Sequence, residues 1–243
     1  MATVVRHEFG VKELEEELAE LANAQHESRA YRKLFSVPLT LERIRAHHLQ
    51  KSIWTLNRRD CWAYAQAQAP FGVKQLIWEH EREELRGGGP RNVDNHQALG
   101  VKEGAAFGLT QEDYDRAQPT DTTLACTKAW VLLAKEPPWT KAFGACAALE
   151  LSNSEEVLRT KSASAKMAER IRDQLGVAIE RQHSLKEHMI ADVEHAHILS
   201  RVAKGFTATE LERRQILEGA KESWAIDRVF REHLADLMAA IPA

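Results

Sequence analysis

The stretch QHSLKEHMIADVEHAH, residues 182–197, decides the reading of this chain. His188, Asp192 and His195 stand at i, i+4 and i+7, which on an α-helix puts them on one face over two turns. Leu185, Met189, Ala196, Leu199 and Val202 fall on or beside the same face, so the stripe points inward. Burying two imidazoles and a carboxylate without partners is costly. A dense hydrogen-bond network would meet that cost. So would a divalent metal, for which mixed nitrogen and oxygen donors are suited.

The rest of the composition narrows the setting. The chain has 243 residues, 44% of them hydrophobic and 28% charged, with a formal net charge of −3. That is enough apolar material for a sizeable core, and it lacks the positive excess of a nucleic-acid binder. Cys61, Cys126 and Cys146 are too far apart and too few for a disulfide framework or a thiolate zinc site, which suits a reducing compartment. Residues 1–8 have no apolar signal core, and no run of 18 apolar residues offers a membrane span. These features describe a soluble, cytoplasmic protein that binds neither nucleic acid nor membrane.

Helical periodicity runs through nearly every long segment, and strand alternation is absent. Residues 11–27 carry Leu14, Leu18 and Leu21 at helical spacing. They are expected to form an amphipathic arm over residues 1–35, either a solvated surface helix or a contact for a partner or a second copy in a homodimer. Residues 36–243 form the main domain. Thr40 caps a helix running to about Ala69, and Pro70 ends it. Residues 71–85 follow, stopped by Gly87-Gly-Gly-Pro90. Further helices are expected over 93–100, 122–135, 139–151, 155–175, 183–203 and 207–240, with Gly176 and Gly205 as breaks. The sum is an all-α bundle of eight to ten helices.

Two more inward polar groups appear on other helices. Glu150 ends the small, apolar face set by Phe143 and Ala147. Its plainer role is a helix-end carboxylate reaching water. In WEHEREE, residues 78–84, the apolar face set by Val73, Leu76 and Ile77 continues onto His80, Glu83 and Glu84, while Glu79 points away. His96 follows beyond the glycine stop. Bundles that hold two metal ions take such groups from several helices in turn.

That order resembles the heme-oxygenase-like diiron oxidase and oxygenase family, whose fold is shared with thiaminase-like proteins and pyrroloquinoline-quinone synthase. The stretch APFGVKQLIWEHEREELRGGG, residues 69–89, resembles the family's helix before a glycine-containing loop. The stretch HQALGVKEGAAFGL, residues 96–109, resembles the segment after it, and His-x3-Asp-x2-His resembles the final motif. The resemblance covers roughly residues 39–202 and implies a heme-oxygenase-like helical bundle. It implies Glu84, His96, Glu150, His188, Asp192 and His195 as metal ligands, with Glu81 or Glu83 as alternatives to Glu84. A carboxylate from the preceding helix is expected too, and Asp60 is the only acidic residue between Glu42 and Glu79. His47 or His48 would substitute for it.

Two Fe(II) per chain are implied, with O2 as co-substrate and electrons from the substrate or an external donor. The substrate would be a small metabolite such as an amino acid, an amine or a related carboxylate. His80 resembles a substrate-contact position of the metal-free relatives. Arg58, Arg59 and Lys161 are candidates to hold a substrate carboxylate. The alternatives are a metal-free enzyme on the same fold and a non-enzymatic helical interaction protein.

Overall fold

The computed structural model describes residues 9–88 and 93–242, with Asp192 described in its backbone alone. The N-terminal residues 1–8 and the end of the glycine stop, Gly89 and Pro90, lie outside the described residues. Eleven α-helices follow one another: α1 (Val11–His26), α2 (Arg29–Ser36), α3 (Leu41–Gln68), α4 (Phe71–Arg86), α5 (His96–Ala106), α6 (Gln111–Arg116), α7 (Asp121–Lys135), α8 (Trp139–Leu151), α9 (Ala163–Leu175), α10 (His183–Phe206) and α11 (Glu210–Ala240). No strand occurs among the described residues. This is the all-α bundle that the periodicity implies.

The local signals act as expected at most ends. Thr40 caps α3, its hydroxyl accepting from the Arg43 amide. Gly87 closes α4 with φ of +71°, a left-handed conformation that glycine adopts without steric cost. Gly176 closes α9 in the αL conformation, with φ of +69°.

Among the differences from the sequence reading are two helix starts and one added helix. The helix expected over 93–100 starts at His96, because the Asn95 side chain accepts from the Ala98 amide and caps it there. The helix expected over 155–175 starts at Ala163, because Ser162 caps it and its own amide and hydroxyl are turned onto Glu155. Helix α2 is an addition, capped by Ser28.

Helices α8 and α11 form the closest-packed pair. A Cβ placed at Gly144 would collide with the Ile216 carbonyl, and one at Gly219 with the Lys141 carbonyl. The two glycines therefore let the backbones touch, as small residues do at tight helix crossings. This crossing fixes the axis of α8, which carries Glu150 at its end.

The expected arm does not stand apart. Leu14, Leu18 and Ala22 of α1 are fully buried, and with Leu34 of α2 they join the same apolar cluster as Trp62, Phe143, Trp224 and Phe230. Residues 9–36 are thus packed as core, and no break falls at residue 35. The Leu-Ala stripe of α1 is covered by this chain itself, through α11 and α8.

Two outcomes follow from this packing. Leu18→Ala should destabilise the fold by about 2–5 kcal/mol, the usual cost of a buried leucine cavity. Chemical denaturation would read it, and a loss under 0.5 kcal/mol would mean that α1 is a surface arm after all.

The second outcome concerns acid. Burial lowers His26 to about 4, lowers His47 well below its ordinary 6.5, and lowers His48. Above pH 6.5 all three are neutral in both the folded and unfolded chains. Below it the unfolded chain takes up protons that the folded chain refuses, so stability falls from pH 6.5 towards 4. Each histidine contributes at most about 1.4 kcal/mol per pH unit in that window. Melting temperatures at pH 7 and pH 5 test this, and equal values would contradict it.

Candidate metal centre

Helix α4 places His80 and Glu84 one turn apart on its buried face, and α10 brings His195 against them. One ligating atom from each of the three lies within 4.8 Å of the other two, and all three residues are buried. Around this point the polar groups continue. Glu84 Oε2 is 2.9 Å from His96 Nδ1, and Glu84 Oε1 is 3.3 Å from His195 Nδ1. Glu150 Oε1 lies 3.8 Å from His80 Nε2. The imidazoles form a chain: His80 and His195 have ring centres 4.5 Å apart, His195 and His96 6.0 Å, His96 and His188 4.7 Å.

The side chains that prepare these groups come from neighbouring helices. The His188 Nδ1–H donates to the Ser184 carbonyl at 2.7 Å, which leaves the Nε2 lone pair for a ligand. The start of α10 lacks a side-chain cap of its own. Glu103 of α5 supplies one across the fold, accepting from the Leu185 amide at 2.8 Å. A buried carboxylate there also suits the positive end of the helix dipole. Gln182 adds donations to the Ala168 and Val177 carbonyls. The first turn of α10 is thereby pinned just before His188.

Two arginines of α3 enter the same cluster. Arg58 Nη2 donates to the Cys146 carbonyl at 2.7 Å and to Glu150 Oε1 at 3.1 Å. Arg59 Nη1 lies 2.7 Å from Glu81 Oε1 and 2.9 Å from Glu84 Oε2. These charges set the protonation states. Burial alone would raise the Glu84 carboxyl, but Arg59 and His96 outweigh it and hold the group well below the usual carboxylate range. Glu150 is treated likewise: burial raises it, His80 and Arg58 lower it further, and it ends at about 2. Burial lowers His188 to about 3 and lowers His195, so both present neutral, ligand-ready nitrogen. Burial would also lower His96, but the Glu84 charge raises it instead.

The expected ligands fare unevenly. Glu84, His96, Glu150, His188 and His195 come together. The backbone of Asp192 lies on α10 one turn after His188, and its side chain lies outside the described residues. Asp60 does not join: it is exposed, since the buried face of α3 is set by Arg58, Cys61, Trp62 and Ala65, and Asp60 falls between those positions. The expectation for Asp60 is therefore corrected; the charged residues that α3 brings to the cluster are Arg58 and Arg59. Lys161 is corrected too. It is exposed and paired with Glu169, and the segment before Ser162 is turn rather than helix. His80, expected to contact substrate, stands among the ligating atoms. Its place was legible as the position one turn before Glu84.

Several orphaned atoms mark the cluster as suited to a metal ion. His80 Nε2 and Glu81 Oε2 are buried with no hydrogen-bond partner, and His96 Nδ1 is close to Glu84 without hydrogen-bond alignment. Nitrogen and carboxylate donors gathered in this way fit Fe(II), and Mn(II) or Zn(II) would accept the same set.

Fold and site together define a heme-oxygenase-like helical bundle with a buried histidine–carboxylate cluster. A family model described as iron-containing redox enzyme matches residues 45–228, and the chain belongs to that family. Solved structures share the fold at low identity. A CADD-like protein of unknown function from Nostoc punctiforme is 17% identical, with 93% of this chain and 97% of that chain covered and a TM-score of 0.73. A domain of unknown function with a heme oxygenase-like fold from Shewanella denitrificans is 12% identical, with 96% and 93% covered and a TM-score of 0.73. A TenA homologue from P. horikoshii is 18% identical, with 93% and 99% covered and a TM-score of 0.60. No curated protein matches the sequence. Among the described residues no helix is long and apolar enough to cross a membrane.

The two faces of α4 give a direct test. Glu84 faces the cluster, while Glu79 is exposed and 3.6 Å from Arg201. Glu84→Gln should weaken iron binding at least tenfold, on the scale of lost metal-site groups, and Glu79→Gln should leave it unchanged. Equal iron content in the two variants would refute this register of α4.

Proposed function

We propose that this protein is a non-heme iron oxidoreductase that uses O2 to oxidise a small metabolite. The observation that carries the proposal is the buried meeting point of His80, Glu84 and His195, with His96, Glu150 and His188 beside it. Six imidazole and carboxylate donors are more than one ion needs, and they support two Fe(II) per chain. The Asp192 carboxylate joins them on the strength of the His-x3-Asp-x2-His motif. Iron bound there supplies the electron transfer that lets a closed-shell substrate react with O2.

The chain's own residues do the remainder. Glu84 and Glu150 stay ionised at neutral pH and offer negative charge to the cations. Ser184 holds the His188 ring with Nε2 forward. Trp62 and Phe143 close the wall behind His80 and exclude water. Arg58 pairs with Glu150 and Arg59 with Glu84, which orients each carboxylate. A substrate that loses two electrons and two protons takes O2 to hydrogen peroxide. With two further electrons and protons from an external reductant, the product is water.

One observation favours a second reading. Arg58 and Arg59 already compensate Glu150, Glu81 and Glu84, which is how a metal-free enzyme of the thiaminase-like or pyrroloquinoline-quinone-synthase-like kind would stabilise such a cluster.

Anaerobic Fe(II) titration followed by O2 separates the readings. The expected result is two Fe(II) per chain and an O2-dependent change in the near-ultraviolet or visible spectrum. One iron per chain would overturn the paired-iron part of the proposal. No iron bound and no spectral change would favour the metal-free enzyme.

A further inference from the structure

Helix α7 turns one face to the core and leaves the other bare. Trp130, Leu133 and Ala134 are buried, while Asp121, Leu124, Ala125, Lys128, Leu132 and Lys135 are exposed. Leu132 is 61% exposed and Leu124 39%. An open apolar depression runs along each side of this ridge. Ala125, Ala129, Ile226 and Val229 line the one against α11, and Asn57, Val131 and Leu132 the one against α3. Val229 is itself 54% exposed. Ala125 and Ala129 are small enough to let another helix come close. Exposed apolar residues gathered on one face and rimmed by charge mark an interaction site.

The order of residues along the ridge indicates what fits it. Leu124 and Leu132 stand four residues before and after Lys128, and Asp121 and Lys135 stand seven before and after it. Two such helices laid antiparallel, with a two-fold axis at Lys128, bring positions equally far from Lys128 to the same level. Leu124 of one copy comes level with Leu132 of the other, Ala125 with Val131, and Asp121 with Lys135. Each pairing occurs twice, as a two-fold interface requires. The charges at the ends are opposite in sign, which favours this direction. A parallel pairing would set Asp121 against Asp121 and Lys135 against Lys135.

Among the described residues, Asp121, Lys128 and Lys135 form no ion pair within the chain. Lys135 is steadied by the Tyr64 ring, its Nζ 4.2 Å from the ring centre. On the axis itself Lys128 meets Lys128 of the second copy. A lysine stem lies along apolar surface and carries its ammonium sideways to water. Asn57 borders the depression beside Lys128, and Tyr64 lies under Lys135. The exposed Asp60 between them on α3 edges the same face and sets a carboxylate beside the axis.

We infer that the outer face of α7 is an interface with a second copy of this chain, the two α7 helices packing antiparallel about a two-fold axis at Lys128. The leucine stripe of α1, expected from the sequence as a surface for such a contact, is covered instead by α11 and α8 of the same chain. The interface stands independently of the iron reading.

Sedimentation velocity over a range of protein concentrations tests the inference, and a reversible dimer is expected. Leu132→Glu puts a carboxylate at two apolar contacts and should weaken the dimer about tenfold or more. Asp121→Lys and Lys135→Asp should each weaken it about fivefold, and the double exchange should restore it. Lys128→Cys sets two thiols face to face on the axis, and mild oxidation should link the dimer covalently. Asp121→Cys sets its two thiols about 21 Å apart and should give no linked dimer. The native cysteines are buried, so the unaltered protein is the blank.

A monomer at every concentration would overturn the inference. So would a dimer that Leu132→Glu leaves intact, since another face would then hold it. Linkage through Asp121→Cys in place of Lys128→Cys would contradict the antiparallel pairing, as would a double exchange that fails to restore the dimer. Circular dichroism identifies any variant that fails to fold. If Leu132→Glu is one, the charge exchange and the two cysteine variants, all at exposed positions, still decide the matter.

Discussion

Glu84 carries a buried negative charge at the centre of the bundle, and much of the surrounding architecture answers to it. A carboxylate removed from water is stable only with close partners of opposite charge or with protons to accept. Here the partners arrive from three directions: Arg59 from α3, His96 from the start of α5 and His195 from α10. Each arrives only if its helix is held in register. The charge thus couples the positions of four helices, and a shift of one residue in α4 would turn Glu84 outward and leave Arg59 without two of its partners.

The devices that hold the register lie outside the cluster. Reciprocal close approach at Gly144 and Gly219 sets α8 against α11 and so fixes where Glu150 ends up. Glu103 caps α10 from another helix and, with Gln182, fixes the turn that carries His188. The Asp227 network of Gln25, Tyr31 and Arg231 ties α1 and α2 to α11. This last connection explains why the first two helices are core and not an appendage.

Much of this was legible in the sequence because helices convert spacing into direction. The spacing of His188 and His195 set the inward face of α10, and the phase of Val73 and Ile77 put Glu84 inward and Glu79 outward. Asp60 misled because residue type was weighed above phase: on α3 the acidic residue sits between the buried positions, while His47, Lys51, Trp54, Arg58 and Trp62, spaced four, three, four and four apart, trace the face that packs beside the cluster. That stripe was present in the sequence, but a cationic stripe reads as solvated surface until the carboxylates it meets are known. Glu103 and Arg231 were not legible at all: Glu103 caps Leu185 from 82 residues away, and the Asp227 that holds Arg231 is reached by Tyr31 from 196 residues away, contacts made only by tertiary packing. Residues 11–26 read as an arm for the same reason, because an amphipathic helix does not announce whether its apolar face is covered by its own chain or by another.

The central claim is that the His80, Glu84 and His195 meeting point is a metal site and not merely a compensated charge cluster. Anomalous diffraction at the iron edge from crystals of the Fe(II)-loaded protein tests it most directly. The account predicts an iron peak bonded to Glu84 and His195, with the Arg59–Glu84 pair lengthened as the metal takes over the carboxylate. A map with no iron at the cluster, and Arg59 still 2.9 Å from Glu84 Oε2 as it is here, would contradict it.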